Sequence, residues 1–197
     1  MSCPSVSKMS GKLQGVPAIN TNTATNPFCI EQYNKADPDN ICSFCYSHDM
    51  LNTYRKNCQP SFQRNSDILA TDTGIDIPKI NASIVRFNGH GELLNDTHFR
   101  NLCAIASNYL RTNFALWTKR VDIVRRNLYC VPDNLILVYS NPKIDRVMSK
   151  PPRGFHRVFN NVTKKYTGDA NCTGQKCIDC QLCYHFDTET VIVEHVK

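Results

Sequence analysis

The middle of the chain alternates between short apolar runs and segments of helical periodicity, and this alternation limits the fold more than any other feature. The runs Ser83–Phe87, Asn113–Trp117 and Leu135–Tyr139 are rich in apolar residues and typical of strands. Between them, Asp96–Leu110 carries apolar residues at helical spacing, and Lys119–Asn127 also favours a helix. Strands that alternate with helices form parallel sheets with right-handed crossovers. The sequence therefore predicts an α/β fold.

The flanking parts of the chain differ in composition from this middle part. Residues 1–28 are rich in Ser, Thr, Asn, Gly and Pro, which predicts an irregular N-terminal arm. Residues 29–150 would form the βα core, and residues 151–197 a cysteine-rich C-terminal extension that begins with two prolines. In the extension, Val158–Thr163 favours a strand or a loop, and Thr190–Val196 favours a closing strand. We expect cysteine-rich loops at both ends of the core.

The extension holds four cysteines within twelve residues, spaced C-x4-C-x2-C-x2-C. The end of this run resembles the ferredoxin type, in which closely spaced thiolates bind the corners of a 4Fe–4S cluster. Structural zinc sites more often pair two separated C-x2-C arms. The spacing therefore favours an iron–sulfur cluster, with zinc as the alternative. The four predicted ligands are Cys172, Cys177, Cys180 and Cys183. They would hold a cluster of their own, or some of them would share one cluster with Cys42 and Cys45.

A second group of cysteines lies near the start of the chain. Cys42 and Cys45 form a C-x2-C pair, and Cys29 precedes them by a longer segment. Three thiolates would leave one iron of a cubane cluster open to another molecule. Cys58 follows at a distance that also allows a closed four-cysteine zinc site. The more distant cysteines could instead be small core residues. Spacing alone leaves zinc and an iron–sulfur cluster open here.

The cellular compartment decides how the eleven cysteines are interpreted. No apolar run approaches the ~20 residues of a membrane span, so we expect no membrane partner. Residues 1–12 contain two lysines but no apolar stretch behind them, so we expect no signal peptide and a cytoplasmic location. Disulfides are rare in that reducing compartment, and clustered cysteines there indicate metal or redox chemistry.

Charge and motifs narrow the classes of function. The formal net charge of +6 is compatible with binding of nucleic acid, although a solvated basic surface is the commoner meaning of such a charge. The sequence contains no Walker loop, no G-x-S-x-G elbow and no Rossmann fingerprint, so those enzyme classes have no support.

The predicted parallel sheet indicates where a ligand would bind. Ligands of such sheets lie at the carboxyl ends of the strands. Here those ends are the turn Asn88–Glu92, Thr118–Lys119 and Ser140–Asn141. His90 lies within the turn, and we expect it to be part of a ligand pocket more readily than the other histidines.

Two stretches resemble the radical S-adenosylmethionine (SAM) enzymes. Cys42-Ser43-Phe44-Cys45 is similar to the end of their cluster loop, where an aromatic residue precedes the last cysteine. SIVRF-NGHGELLN, residues 83–95, looks like their second strand and glycine–glycine–glutamate motif, with Gly89, Gly91 and Glu92 at the matching positions. The order of these features along the chain also agrees. The spacing of twelve residues before Cys42 and the placement of His90 between the glycines depart from the usual pattern.

This resemblance implies a short or partial (βα) barrel-like parallel sheet over residues 29–145. It implies that Cys29, Cys42 and Cys45 hold a 4Fe–4S cluster whose open iron chelates SAM. One electron then cleaves SAM to a 5′-deoxyadenosyl radical. An electron donor such as a flavodoxin or ferredoxin would be a partner, and a short barrel that is open on one side would suit a macromolecular substrate. The implied SAM-binding residues are Phe44, Gly89, Gly91, Glu92, Lys119 and Asn141.

A closer resemblance is to a group of bacteriophage proteins, the gene product 88 domain family. The corresponding stretches are Phe44-Cys45-Tyr46, Arg86–Glu92 and Lys176–Tyr184. This likeness implies a phage origin, action in the host cytoplasm and host proteins as partners. Two other functions stay open from the residues. One is a non-enzymatic iron–sulfur protein that transfers electrons, senses oxygen, or binds a host partner or nucleic acid. The other is a zinc-stabilised binding module.

Overall fold

The computed structural model describes residues 3–71 and 73–196. Its centre is an open sheet of six strands, all parallel, whose spatial order is the same as their order along the chain. The α/β fold with a parallel sheet is therefore confirmed. The strands are β1 (Ala18–Ile19), β2 (Ile84–Phe87), β3 (Asn113–Thr118), β4 (Leu135–Ser140), β5 (Arg157–Val162) and β6 (Val191–His195).

Six α-helices connect or cover these strands within the described residues. They are α1 (Pro27–Asn34), α2 (Tyr46–Asn52), α3 (Gln59–Thr71), α4 (Asp96–Ser107), α5 (Val121–Arg126) and α6 (Cys177–Cys180). The two helices predicted between the strands are present as α4 and α5. Each is shorter than its prediction, because α4 ends at Ser107, before its C-cap Asn108, and α5 begins only at Val121 and ends at Arg126. No described helix has the length and apolar character that a membrane crossing requires.

One face of the sheet is covered by helices, and we name it the helix-covered face. Val85 and Phe87 of β2 and Phe114 of β3 point to this face, where they pack with Leu69 of α3 and Phe99 of α4. Right-handed crossovers between strands in sequential order place their helices on the same side of a sheet. This explains why α4 and α5 lie together there.

The opposite face is covered by the two ends of the chain, and we name it the cysteine-covered face. Ile84, Ala115 and Trp117 alternate with the residues of the first face and therefore point to this one. Leu13, from a short 3-10 helix, and Tyr184 are buried against them. Three of the four C-terminal cysteines pack against the same cluster: Cys172, Cys177 and Cys183.

The flanking segments therefore belong to the sheet more closely than their composition indicates. The segment predicted as an irregular arm contributes β1, whose two residues pair with Arg86 and Phe87. A strand of two residues has no periodicity to detect. The C-terminal extension contributes β5, which settles the choice between strand and loop, and β6, which is the predicted closing strand. Residues 141–156, between β4 and β5, contain no helix.

Candidate metal and cofactor site

A cavity of about 1260 Å³ lies at the carboxyl ends of the strands. The turn after β2, Lys119 after β3 and Ser140 at the end of β4 line one side of it. Cys29, Cys42 and Cys45 line another side. The edge of the sheet predicted to bind a ligand is thus the edge at which the first cysteine group is found.

Side-chain caps hold the first cysteine group in place. Asn26 precedes α1, and its Oδ1 accepts hydrogen bonds from the backbone N–H groups of Phe28 and Cys29. The Nδ2 group of Asn26 donates to the carbonyl of Glu92 over 2.9 Å, which ties the helix that carries Cys29 to the turn after β2. Asn40 acts in the same way for Cys42, whose N–H donates to Asn40 Oδ1 over 3.0 Å.

The three thiols share one electrostatic environment with Glu92 and Lys119. Burial raises the pKa of the Cys29 thiol, and the negative charges of Glu92 and Cys45 raise it further, while Lys119 acts in the opposite direction. Burial also raises the pKa of Cys42, again opposed by Lys119. Cys29 and Cys42 are therefore protonated near neutral pH unless a further cation, such as a bound metal, stabilises their thiolates.

Glu92 is a buried carboxylate with three hydrogen-bond donors. The backbone N–H of Leu93 and the hydroxyl of Thr118 donate to Oε1, and the backbone N–H of Lys119 donates to Oε2 over 2.8 Å. Burial raises the pKa of Glu92, and Lys119 together with these donors opposes the rise. A carboxylate has about four lone-pair sites, so Oε2 retains one for a ligand.

Lys119 places a positive charge among the cysteines. Its Nζ donates to Ser140 Oγ over 2.9 Å. Burial acts to lower the pKa of Lys119, but the Glu92 carboxylate and the thiolate forms of the three cysteines outweigh that effect, so the pKa lies above its usual value. Lys119 is therefore a fixed cation beside the predicted cluster site.

The turn after β2 has glycine at two positions because a larger residue would not fit there. Gly91 has a φ of +104°, and a Cβ atom there would lie 1.9 Å from Thr21 Oγ1. A Cβ on Gly89 would lie 2.8 Å from Asn20 Oδ1. The segment after β1 thus approaches the turn too closely for larger residues. His90 is buried between them, shares a hydrogen bond with Ser47, and has a pKa lowered to about 4 by burial.

The remaining sequence candidates divide between the cavity and its surroundings. Phe44 lines the cavity and is exposed. Asn141 does not line it, because its amide bonds the loop that follows β4 and Asn160 of β5; Ser140 takes the position expected for it. Cys58 lies in a 3-10 helix before α3 and does not line the cavity either, which separates it from the other members of the four-cysteine zinc alternative.

The cavity also has basic residues that were not predicted to line it, among them Lys12 and Arg86. Lys12 forms an ion pair with Glu194 and lies 3.8 Å from Cys172 Sγ. Arg86 stacks on the ring of Trp117. Lys12 could not be found from the sequence, because 160 residues separate it from Cys172. Arg86 had one signal, since it is a charged residue inside a short apolar strand.

Three members of the second cysteine group, Cys172, Cys177 and Cys183, pack on the cysteine-covered face, and Cys180 is exposed. The N–H of Cys172 donates to Val193 of β6 over 3.0 Å, and Cys177 and Cys180 begin and end α6. Burial raises the pKa of Cys183 to about 12, with Cys172 and Cys177 among its negative neighbours. In each of the two cysteine groups, the pKa of a thiol is influenced by other thiols of the same group.

The donor sets can be compared with the needs of a metal. Within residues 3–71 and 73–196, no three His, Cys, Asp or Glu side chains are arranged to hold a metal ion. A cubane cluster binds each thiolate to a different iron and so requires wider spacing than a single zinc ion. Three thiols, a fixed cation and a large cavity fit such a cluster in chemistry.

Comparisons of the chain with protein-family models, curated proteins and solved structures found no match.

Proposed function

We propose that this chain is a compact iron–sulfur protein of radical SAM type, with a partial βα barrel-like fold. A 4Fe–4S cluster at Cys29, Cys42 and Cys45 would cleave SAM reductively, and the C-terminal cysteines would hold a second cluster. The observation that carries the proposal is the convergence of the three thiols with Glu92 and Lys119 on one cavity at the carboxyl ends of parallel strands.

The three cysteines, Glu92 and Lys119 each have a defined part in this proposal. The three cysteines hold the cluster, which when reduced supplies the electron for cleavage of the SAM sulfonium. Glu92 offers the free site on Oε2 to the SAM ammonium group, and its three donors fix the orientation of the carboxylate. Lys119 offsets the negative charge of the thiolates and is close enough to interact with all three.

The size and openness of the site bear on the substrate and the partners. Ligand pockets usually measure about 300–1000 Å³, so a cavity of about 1260 Å³ has room for SAM and part of a second molecule. The sheet is open, which suits a macromolecular substrate or a partner that closes the site. A host flavodoxin or ferredoxin would supply electrons in the cytoplasm if a bacteriophage encodes the chain.

One observation favours a second candidate, a non-enzymatic iron–sulfur protein. The glycines around His90 are explained by packing against residues 20–21, so the turn does not require SAM. Such a protein would keep both clusters and transfer electrons, sense oxygen or bind a host partner. Zinc remains an alternative for the C-terminal four cysteines alone.

Anaerobic reconstitution tests the proposal. We expect purified protein to turn brown with broad absorbance near ~400 nm, and to release 5′-deoxyadenosine when reduced in the presence of SAM. The Cys45→Ala variant should lose this activity, whereas Cys58→Ala should keep it.

Other outcomes would decide against the proposal. A brown protein that releases no 5′-deoxyadenosine, and whose EPR signal SAM leaves unchanged, would favour the non-enzymatic candidate. A colourless protein with stoichiometric zinc would exclude both.

A further inference from the structure

The cysteine-covered face of the sheet forms a second wall of the cavity, apart from the wall that carries the first cysteine group. Arg86 of β2, Trp117 of β3 and Glu194 of β6 line this second wall. The side chain of Arg86 points to this face because it alternates with Val85 and Phe87, which point to the other one. Charged residues are rare inside the strands of a parallel sheet, so the position of Arg86 requires an explanation.

An aromatic ring holds Arg86 in place. Its guanidinium carbon lies 3.4 Å from the centroid of the Trp117 ring, so the two groups are stacked. Its Nε atom is buried without a hydrogen-bond partner among the described residues, whereas the residue as a whole is half-buried and lines the cavity. Stacking therefore fixes the orientation of the guanidinium group before any ligand binds.

No carboxylate balances the charge of Arg86. None of the ion pairs within residues 3–71 and 73–196 includes it. The carboxylates among the described lining residues all have other partners, and these are Asp39, Glu92, Asp145 and Glu194. The side chain of Tyr184 also lies beside Arg86, but a phenol hydroxyl is neutral at ordinary pH. A half-buried cation is stabilised by a nearby anion, and the described carboxylates do not supply one.

The chemistry of the guanidinium group indicates which anion fits. Its N–H groups form a planar fork that matches two oxygen atoms of a carboxylate or a phosphate. A fork that is already oriented loses little conformational freedom on binding. In the proposed function, the amino-acid end of SAM is bound by Glu92 and the first cysteine group. The cavity of about 1260 Å³ leaves room for part of a second molecule, which can bring the anion.

We propose that Arg86, stacked on Trp117, binds an oxyanion of a second molecule in the cavity, and that the substrate of the proposed function therefore carries a carboxylate or phosphate group. The role in substrate binding rests on the proposed function, whereas the anion site itself depends only on this wall of the cavity. Arg86 contacts the substrate and neither holds a cluster nor takes part in electron transfer.

Calorimetric titration of the anaerobically reconstituted full chain tests the site. Inorganic phosphate and acetate are the two probes, each titrated at constant ionic strength, and the probe that binds more tightly identifies the group. Trp117 is the only tryptophan of the chain, so its fluorescence should change with the same midpoint as the heat of binding.

Three variants locate the binding at Arg86. Arg86→Gln should raise the dissociation constant about tenfold, because a hydrogen-bonded charge is lost. Arg86→Lys keeps the charge without the planar fork and should raise the dissociation constant less. Arg111→Gln removes an exposed arginine and should leave the dissociation constant unchanged.

Several results would overturn the inference. The anion site does not exist if neither probe binds the parent saturably, or if Arg86→Gln and Arg111→Gln weaken binding equally. If SAM displaces the bound probe, the site holds the carboxylate of SAM and not a second molecule. If Arg86→Gln does not fold, a parent-like dissociation constant in Arg86→Lys overturns the inference. A parent that binds the probe but releases no 5′-deoxyadenosine would end the proposed function and leave the anion site standing.

Discussion

The two faces of the sheet are covered by different means. On the helix-covered face, α3 and α4 pack apolar side chains such as Leu69, Phe99 and Leu102 against the strands. On the cysteine-covered face, a short 3-10 helix and a cysteine-rich segment cover a smaller cluster. The helix-covered face is covered by regular helices, which need no bound metal to complete their packing. The cysteine-covered face depends on chain ends that have little secondary structure of their own.

This difference indicates what each face contributes. The helix-covered face stabilises the fold through apolar burial and continuous helix hydrogen bonds. The cysteine-covered face carries the unusual chemistry: half-buried thiols, a stacked arginine and one wall of the cavity. Metal binding to the C-terminal cysteines would complete this cover, since a metal holds together segments that lack regular structure.

The largest effect on iron content and activity is expected from a substitution in the cavity at the carboxyl ends of the strands. Cys45→Ala should lower the iron content from about eight to about four atoms per chain and abolish release of 5′-deoxyadenosine. Cys58→Ala is the matched control and should keep all the iron. Retention of SAM cleavage by Cys45→Ala would contradict the assignment of the first cluster.

Cys183→Ala should affect the cysteine-covered face alone. We expect loss of about four iron atoms per chain and faster proteolysis within residues 163–190, while the first centre keeps its iron. Cys130→Ala, on the helix-covered face, should leave both centres intact. The comparison of the faces fails if Cys183→Ala and Cys130→Ala show the same cleavage pattern.

Gly91→Ala tests the close contact between the turn and the segment after β1. The substitution combines a positive φ with a contact of 2.9 Å to the Thr21 carbonyl, so we expect a loss of unfolding free energy. Its size should be about 3 kcal/mol. Gly74 also has a positive φ but has open space around it, so Gly74→Ala should lose about 1 kcal/mol. Equal losses in urea denaturation would exclude the contact as the cause.

His98 should make the helix-covered face sensitive to acid. Burial lowers its pKa to about 3, so the folded protein keeps it neutral while the unfolded chain binds a proton below its usual value of 6.5. This contribution to stability is complete above pH 6.5 and is lost as the pH falls toward 3. At pH 5 the loss should be about 2 kcal/mol.

His98→Asn keeps an acceptor for the Leu94 N–H group without a titrating ring. Between pH 7 and pH 5, the unfolding free energy of His98→Asn should therefore fall by about 2 kcal/mol less than that of the parent. Urea denaturation at both values measures the difference. If the unfolding free energies of the two proteins depend on pH in the same way, His98 is not the cause of the acid sensitivity.

The sequence predicted the helix-covered half of the fold better than the other half. The strands β2, β3 and β4 and the helices α4 and α5 have their own periodicity, and the prediction located all five. The pairing of β1 with β2 and the packing of Tyr184 on Trp117 depend on contacts between distant parts of the chain. No local pattern records such contacts.

The same limit applies to the candidate site. Glu92 and Lys119 follow strands, and the general rule for parallel sheets placed them at the cavity. Asn141 obeys the same rule, but its amide is used within its own loop. Lys12 is brought to Cys172 only by the folding of the N-terminal segment onto β6. Sequence position can locate strand ends, but it does not show which side chains remain free there.

The central claim is that each cysteine group holds its own iron–sulfur cluster. Iron and acid-labile sulfide should therefore be counted in three anaerobically reconstituted proteins: the parent, Cys42→Ala/Cys45→Ala and Cys180→Ala/Cys183→Ala. The account predicts about eight iron atoms in the parent and about four in each variant. Loss of all iron from either variant would mean one shared cluster, and zinc in place of iron in the parent would contradict the claim altogether.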